Sequence, residues 1–184
     1  MKKSIILASL CLASSIIMAQ EHTNYELRYA THPMDVKTYD TSRLRKEFAI
    51  EKVFTPGHIN IVYSIHDRMI VGGALPTDKE LQLETIDYLK APNFLHRREI
   101  GIINVGGTGT VRVDNKKYEL KNKEALYVGR GNRHITFKSD DAEHPAHFYF
   151  CSATAHRETG VKKVSKKDAV VMHCGSLEEA NERT

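Results

Sequence analysis

The sequence predicts an all-β fold, and two observations carry that reading. Between Phe94 and Cys151 apolar residues alternate with polar or small ones, as in Ile100 and Ile102, Val111 and Val113, Leu126 and Val128, Ile135 and Phe137, and Phe148 and Phe150. This is the two-residue period of half-buried strands. Between these pairs stand the turn signals Gly106-Gly107, Asp114-Asn115, Gly129-Arg130-Gly131 and Ser139-Asp140-Asp141. Strands this short, with turns this close, read as a meander folded into a sandwich or barrel, one face of each strand packed inward.

Taken in order, the chain opens with Lys2-Lys3, an apolar stretch from Ile5 to Ile17, and Met18-Ala19 before Gln20. Residues 1–19 therefore read as a secretory signal, with an uncleaved membrane anchor as the alternative. Cleavage implies a periplasmic or secreted protein. Residues 20–47 read as an N-terminal arm: a polar stretch with Pro33, then Thr41-Ser42 as an N-cap candidate for a short charged helical turn. Residues 48–54 read as a first strand, and Pro56-Gly57 as a turn. Residues 59–65 and 69–71 alternate and read as paired strands around His66-Asp67-Arg68, and 79–84 resumes the alternation. Residues 85–93 read as a loop. The β-barrel is placed at 48–151. Beyond Cys151 the chain turns polar and Lys-rich, and 152–184 reads as a linker or tail. Within it Ser165-Lys166-Lys167-Asp168 resembles a cap, and residues 175–184 look like the start of a helix.

The chain has 184 residues, enough for one core of ordinary size, with 27 basic and 23 acidic side chains and a net charge of +4. No dense Lys/Arg block marks a nucleic-acid surface. An anionic small molecule stays open as a partner, because local arginines decide that more than net charge. Signal cleavage would remove Cys11 and leave Cys151 and Cys174, either bridged or as two free thiols.

Small β-barrels of the cupin type hold a metal with a His-x-His pair, a Glu shortly after, and a later His that follows a Gly-rich turn. Here Arg98 stands where the second His of His96-Arg97-Arg98-Glu99 would be, whereas Gly129-Arg130-Gly131-Asn132-Arg133-His134 keeps part of the later turn. His96, Glu99 and His134 are a weak metal alternative, opposed by the Arg98 guanidinium. Arg68, Arg97, Arg98, Arg130 and Arg133 are candidates for clamping a carboxylate. The alternative for Arg98-Glu99 is an ordinary cross-strand ion pair. Gly106-Gly107-Thr108-Gly109 reads as a hairpin turn, and no P-loop or nucleophile elbow is present.

Several longer motifs, in order, carry a resemblance: residues 48–54, Asp67 to Gly73, Arg97 to Gly107, Glu124 to Gly129, and Pro145 to Phe150 followed by Ala155-His156. From about Tyr25 onward the chain resembles the N-terminal half of the 5-dehydro-4-deoxy-D-glucuronate isomerase family, also called 4-deoxy-L-threo-5-hexosulose-uronate ketol-isomerases. The resemblance implies a cupin-like double-stranded β-helix, or jelly-roll barrel. It also implies an intramolecular oxidoreductase of pectin and uronate breakdown acting on a keto-uronate. Family members are oligomers of two-cupin chains, cytoplasmic as a rule, with zinc held by the C-terminal cupin. No zinc ligand carries over to this sequence, which reads as truncated before the zinc site; the resemblance implies a homo-oligomer or a C-terminal cupin partner. Arg68, Arg98 and Tyr127 are the candidates for substrate contact, and Glu99 for catalysis. The alternative reading is an exported, non-catalytic cupin module that binds uronates or assembles with other subunits.

Overall fold

The computed structural model describes residues 23–183; the expected signal at 1–19 lies outside them. The strands are β1 (Thr23–Arg28), β2 (Ile59–Ser64), β3 (Met69–Ala74), β4 (Leu81–Gln82), β5 (Arg98–Asn104), β6 (Gly109–Val113), β7 (Lys116–Leu120), β8 (Ala125–Val128), β9 (Ile135–Ser139), β10 (Phe148–Thr154) and β11 (Val161–Val164). They form a seven-stranded sheet in the order β1-β2-β3-β10-β5-β8-β11 and a four-stranded sheet in the order β4-β9-β6-β7. The all-β, cupin-like expectation holds, as a sandwich of two sheets that do not close on each other. No described helix is long and apolar enough to cross a membrane.

The two-residue period sets the core. In β5 Arg98, Ile100, Ile102 and Asn104 are buried while the residues between them are not, and β9 buries Ile135, Phe137 and Ser139 in the same way. Phe137 of the smaller sheet stacks on Phe150 of the larger at 6.2 Å between centroids and meets Phe148 at 5.3 Å. These aromatic contacts bridge the two layers, which is how a sandwich excludes water from both inner faces.

The strands do not meander. Among the described residues only β2–β3 and β6–β7 are antiparallel pairs of consecutive strands; after β3, β4, β5, β7, β8 and β9 the chain changes sheet. Gly106 to Gly109 is therefore a crossover between sheets and not the expected hairpin turn, because both edges of β5 are already paired, with β10 and β8. Asn104 holds the crossover. Buried at the end of β5, its Nδ2 donates to the carbonyls of Gly107 (2.6 Å) and Leu120 (2.8 Å), and its Oδ1 accepts from the backbone N–H groups of Gly106 (3.0 Å) and His147 (3.2 Å). The Asp114-Asn115 signal does make the β6–β7 hairpin, with Asp114 at φ 49°.

Other local expectations shift. The polar arm contributes β1, which runs parallel to β2 on the edge of the larger sheet, followed by the short helix α1 (Pro33–Val36). The second helix, α2 (Thr41–Phe48), is capped by Asp40, which accepts from the Arg43 N–H at 2.8 Å, and not by Thr41 or Ser42. Residues 49–54 are not a strand, because the chain leaves α2 directly into an irregular segment. Leu81 and Leu83 keep the alternation of 79–84, but only two residues of it pair. The Ser165/Asp168 capping box forms, over a single 3-10 turn (Lys166–Asp168). Residues 175–183 make turns and not the expected helix, although Ser176 Oγ does accept from the Glu179 N–H. Within the expected tail, β11 adds to β8, and an ion pair from Lys163 to Glu124 (2.8 Å) ties that edge. Lys163, then the Lys121 N–H, hold the Glu124 carboxyl below its usual range. Cys151 and Cys174 are both free thiols.

Candidate functional site

At one end of the sandwich three loops meet around a cleft of about 600 Å³, lined by Pro92, Asn93, His96, Arg130, Gly131, Arg133, His134 and Glu158. Each loop is anchored from within. Buried Phe94 and Leu95 seat the segment before β5, and the Gly131 N–H donates to the Leu95 carbonyl at 3.1 Å. That bond draws the β8–β9 loop to the loop carrying His96. His134 is set from the opposite side, because Asp114 Oδ1 accepts from the N–H groups of both Arg133 (3.1 Å) and His134 (3.0 Å). The third loop follows β10. Arg130 donates to the carbonyls of Ala155 (3.2 Å) and His156 (3.3 Å) and forms a lone parallel bridge with Glu158.

Gly131 is required at this junction. Its φ is +99°, a backbone conformation that strains any other residue, and a Cβ there would lie 3.1 Å from the Glu158 carboxyl, which would have to shift slightly. Two buried polar atoms of the lining lack a protein partner, Asn93 Oδ1 as an acceptor and Arg130 Nε as a donor. Unpaired buried groups are costly. With two guanidiniums and one carboxylate, the lining is net positive. That charge suits an anion.

The structure separates the residues singled out from sequence. His96 and His134 share the cleft, but Glu99 does not join them. One step along β5 turns its side chain to the opposite sheet face from Arg98, where its Oε2 accepts from Tyr127 OH at 2.8 Å, and Tyr127 OH lies 2.6 Å from Thr159 Oγ1. Glu158, and not Glu99, lines the cleft with the two histidines, and two arginines stand in the same lining. Among the described residues no group of three or more His, Cys, Asp or Glu side chains is placed to hold a metal ion. The guanidiniums of Arg130 and Arg133 in the same lining oppose a cation there.

Arg68 and Arg98 are neighbours, but through the Arg68 carbonyl, which accepts from Arg98 Nη2 at 2.7 Å. Arg98 is 3% exposed. Burial lowers its pKa from the usual guanidinium value, Tyr63 works against that shift, and the charge of Arg68 adds to it. Of the five arginines expected to clamp an anion, Arg130 and Arg133 converge on the cleft, while Arg97 and Arg98 line a separate hollow. Glu158 and Asn93 carry no sequence signal. They reach the cleft only because β10 and the loop before β5 end at the same rim.

Residues 48–184 match the model of the KduI/IolB family. A 4-deoxy-L-threo-5-hexosulose-uronate ketol-isomerase 1 from Bacteroides thetaiotaomicron is 59% identical over 161 residues, which is 88% of this chain and 58% of that protein. A protein of the same description from Halalkalibacterium halodurans is 48% identical over 159 residues, 86% of this chain and 58% of its own. Among solved structures, an IolB-like protein from Salmonella typhimurium superposes with a TM-score of 0.43 at 14% identity, over 59% of this chain and 39% of that one. The cupin domain of Schizosaccharomyces pombe Cnp3 gives 0.40 at 15% identity, over 53% and 64%. The chain thus spans 58% of the length of these two curated relatives. With the family model matched over most of the sequence, this chain belongs to the KduI/IolB family.

Proposed function

We propose that this chain is part of a ketol-isomerase acting on 4-deoxy-L-threo-5-hexosulose-uronate or a close keto-uronate, in the breakdown of pectin and other uronates. The observation that carries the reading is the 59% identity over 161 residues to a protein of that description. Such a reaction moves a proton between adjacent carbons of an aldehyde/ketone pair through an enediol, and it needs a base and a group that stabilises the developing oxyanion. In this chain Arg130 and Arg133 take the uronate carboxylate, while Asn93 and Glu158 accept from sugar hydroxyls. Glu99 and Tyr127 act as framework. Zinc, and the groups that hold it, belong to a second cupin half, supplied by a longer chain or by a partner subunit.

A second reading is an exported uronate-binding module without turnover. The absence, among the described residues, of a group of His, Cys, Asp or Glu side chains placed to hold a metal ion supports it. The test is isomerisation of the keto-uronate by the purified chain combined with zinc and the part of the Bacteroides thetaiotaomicron relative that this chain does not span, together with calorimetric binding to the chain and to an Arg130→Gln/Arg133→Gln variant. Turnover that the double variant loses supports the isomerase. Saturable binding without turnover, lost in the same variant, supports the module. Neither turnover nor binding refutes both.

A further inference from the structure

Away from the cleft, the floor of a smaller hollow holds a charge that no carboxylate answers. Arg98 is buried at the start of β5, and its protein acceptors are neutral oxygens: Ser152 Oγ (3.0 Å), Ser152 O (2.7 Å) and Arg68 O (2.7 Å). Tyr63 lies against it with its ring centroid 5.4 Å from the guanidinium carbon. Among the described residues no ion pair reaches Arg98; the Tyr63 side chain is a further hydrogen-bond partner, and the nearby charge of Arg68 is of like sign. A buried charge ordinarily has a counter-charge or costs several kcal/mol, roughly.

The hollow beside it measures about 140 Å³ and is lined by Tyr63, Tyr88, Leu89, Ala91, Phe94, Arg97, Arg98 and Thr154. At about 30 Å³ per water that is room for four or five water molecules, too little for a hexuronate in its entirety and enough for a short carboxylic acid. Its outer wall is built and not accidental. Arg97 Nη2 donates to the carbonyls of Leu89 (2.9 Å) and Lys90 (3.2 Å), which holds the 3-10 turn Asp87–Leu89 over the opening, and Tyr88 packs edge-on against Tyr63 at 5.4 Å. The result is a cationic floor, a second guanidinium at the rim, and walls of aromatic and aliphatic carbon.

We propose that this hollow is a second anion site, for a monocarboxylate with a short apolar tail. The carboxylate sits against Arg98 and the tail lies between Tyr63, Phe94 and Leu89. The apolar walls favour such an acid over phosphate or sulfate, whose remaining oxygens would face carbon. The site is independent of the cleft at Arg130 and Arg133, and it stands or falls apart from the isomerase reading.

The experiment is a titration of the full chain with sodium propionate at constant ionic strength, chloride making up the balance, followed by the arginine Nε–H resonances. The Arg98 resonance is assigned by its loss in Arg98→Lys. Saturable movement of that resonance is expected, and Ala91→Phe, which fills the space taken by the tail, weakens it by roughly tenfold, the scale of one or two excluded methylenes. An Arg133→Gln variant binds as the parent does. An Arg98 resonance that stays fixed, or moves equally with chloride alone, overturns the site. So does propionate binding that Arg133→Gln abolishes and Ala91→Phe leaves intact, since that anion would be in the cleft.

Discussion

Arg98 donates from Nε to the hydroxyl of Ser152 and from Nη2 to its carbonyl, joining the start of β5 to β10 across 54 positions of sequence. A third bond, to the Arg68 carbonyl, fixes the β2–β3 turn, where Arg68 itself sits at φ 54°. One side chain thus ties three strands of the larger sheet at one end. Arg98→Met keeps the stem but leaves two carbonyls and a hydroxyl without their donor, and should cost roughly 3 kcal/mol. Ser152→Ala removes only the hydroxyl and should cost about 1 kcal/mol. Denaturant unfolding of both variants checks the order as well as the size.

Two glycines of the larger sheet make a matched pair. A Cβ on Gly72 would lie 2.6 Å from the Asn60 carbonyl oxygen and against the Phe150 ring, whereas one on Gly101 would meet nothing within 4 Å. Gly72→Ala is therefore expected to lose about 3 kcal/mol or more, the upper range for overpacking a close-packed core. Gly101→Ala should be neutral or gain a few tenths of a kcal/mol, roughly, from reduced freedom of the unfolded chain. Melting temperatures of the two variants decide the matter, and equal losses would refute it.

Asn104 satisfies four backbone groups at once. Asn104→Asp replaces both Nδ2 donors with an acceptor facing the Gly107 and Leu120 carbonyls, so it should destabilise more than Asn104→Ala, each by roughly 3 kcal/mol or above. Chemical denaturation at neutral pH is the measurement. The Asp variant should recover part of its loss at acid pH, where the carboxyl is protonated and can donate again.

On the outer face of β10 the Cys151 thiol donates to Tyr149 OH at 3.2 Å. That hydrogen bond, then burial, then the charge the sulfur takes on when it ionises, push the Tyr149 hydroxyl from 10.0 up to about 12. The folded state therefore holds its proton where the unfolded chain has released it. The associated stability is complete below pH 10.0 and is lost as the pH climbs through about 12. In an absorbance titration Tyr149→Phe should remove a phenolate component near that upper value, and Cys151→Ala should move it downward. A profile unchanged by either substitution would falsify the coupling.

The two-residue period in residues 94–151 determined that the chain is all-β and which side chains face inward, because alternation on a pleated strand is a local property of the backbone. Ile100, Ile102, Phe137, Phe148 and Phe150 are all buried as that period requires. Sequence also brought His96 and His134 under suspicion together, and the motif order pointed to the right family. Tertiary structure decided the rest. Periodicity says which face a side chain takes and not which strand lies beside it, so the meander gave way to strands that change sheet, and Gly106 to Gly109 became a crossover. For the same reason Glu99 was drawn into a metal set that its own strand turns away from, with Tyr127 as its partner instead. Asn93, Arg130 and Glu158 meet at one rim from three separate loops. Convergence over such separations follows from the packing of two sheets, and no window of neighbouring residues contains it.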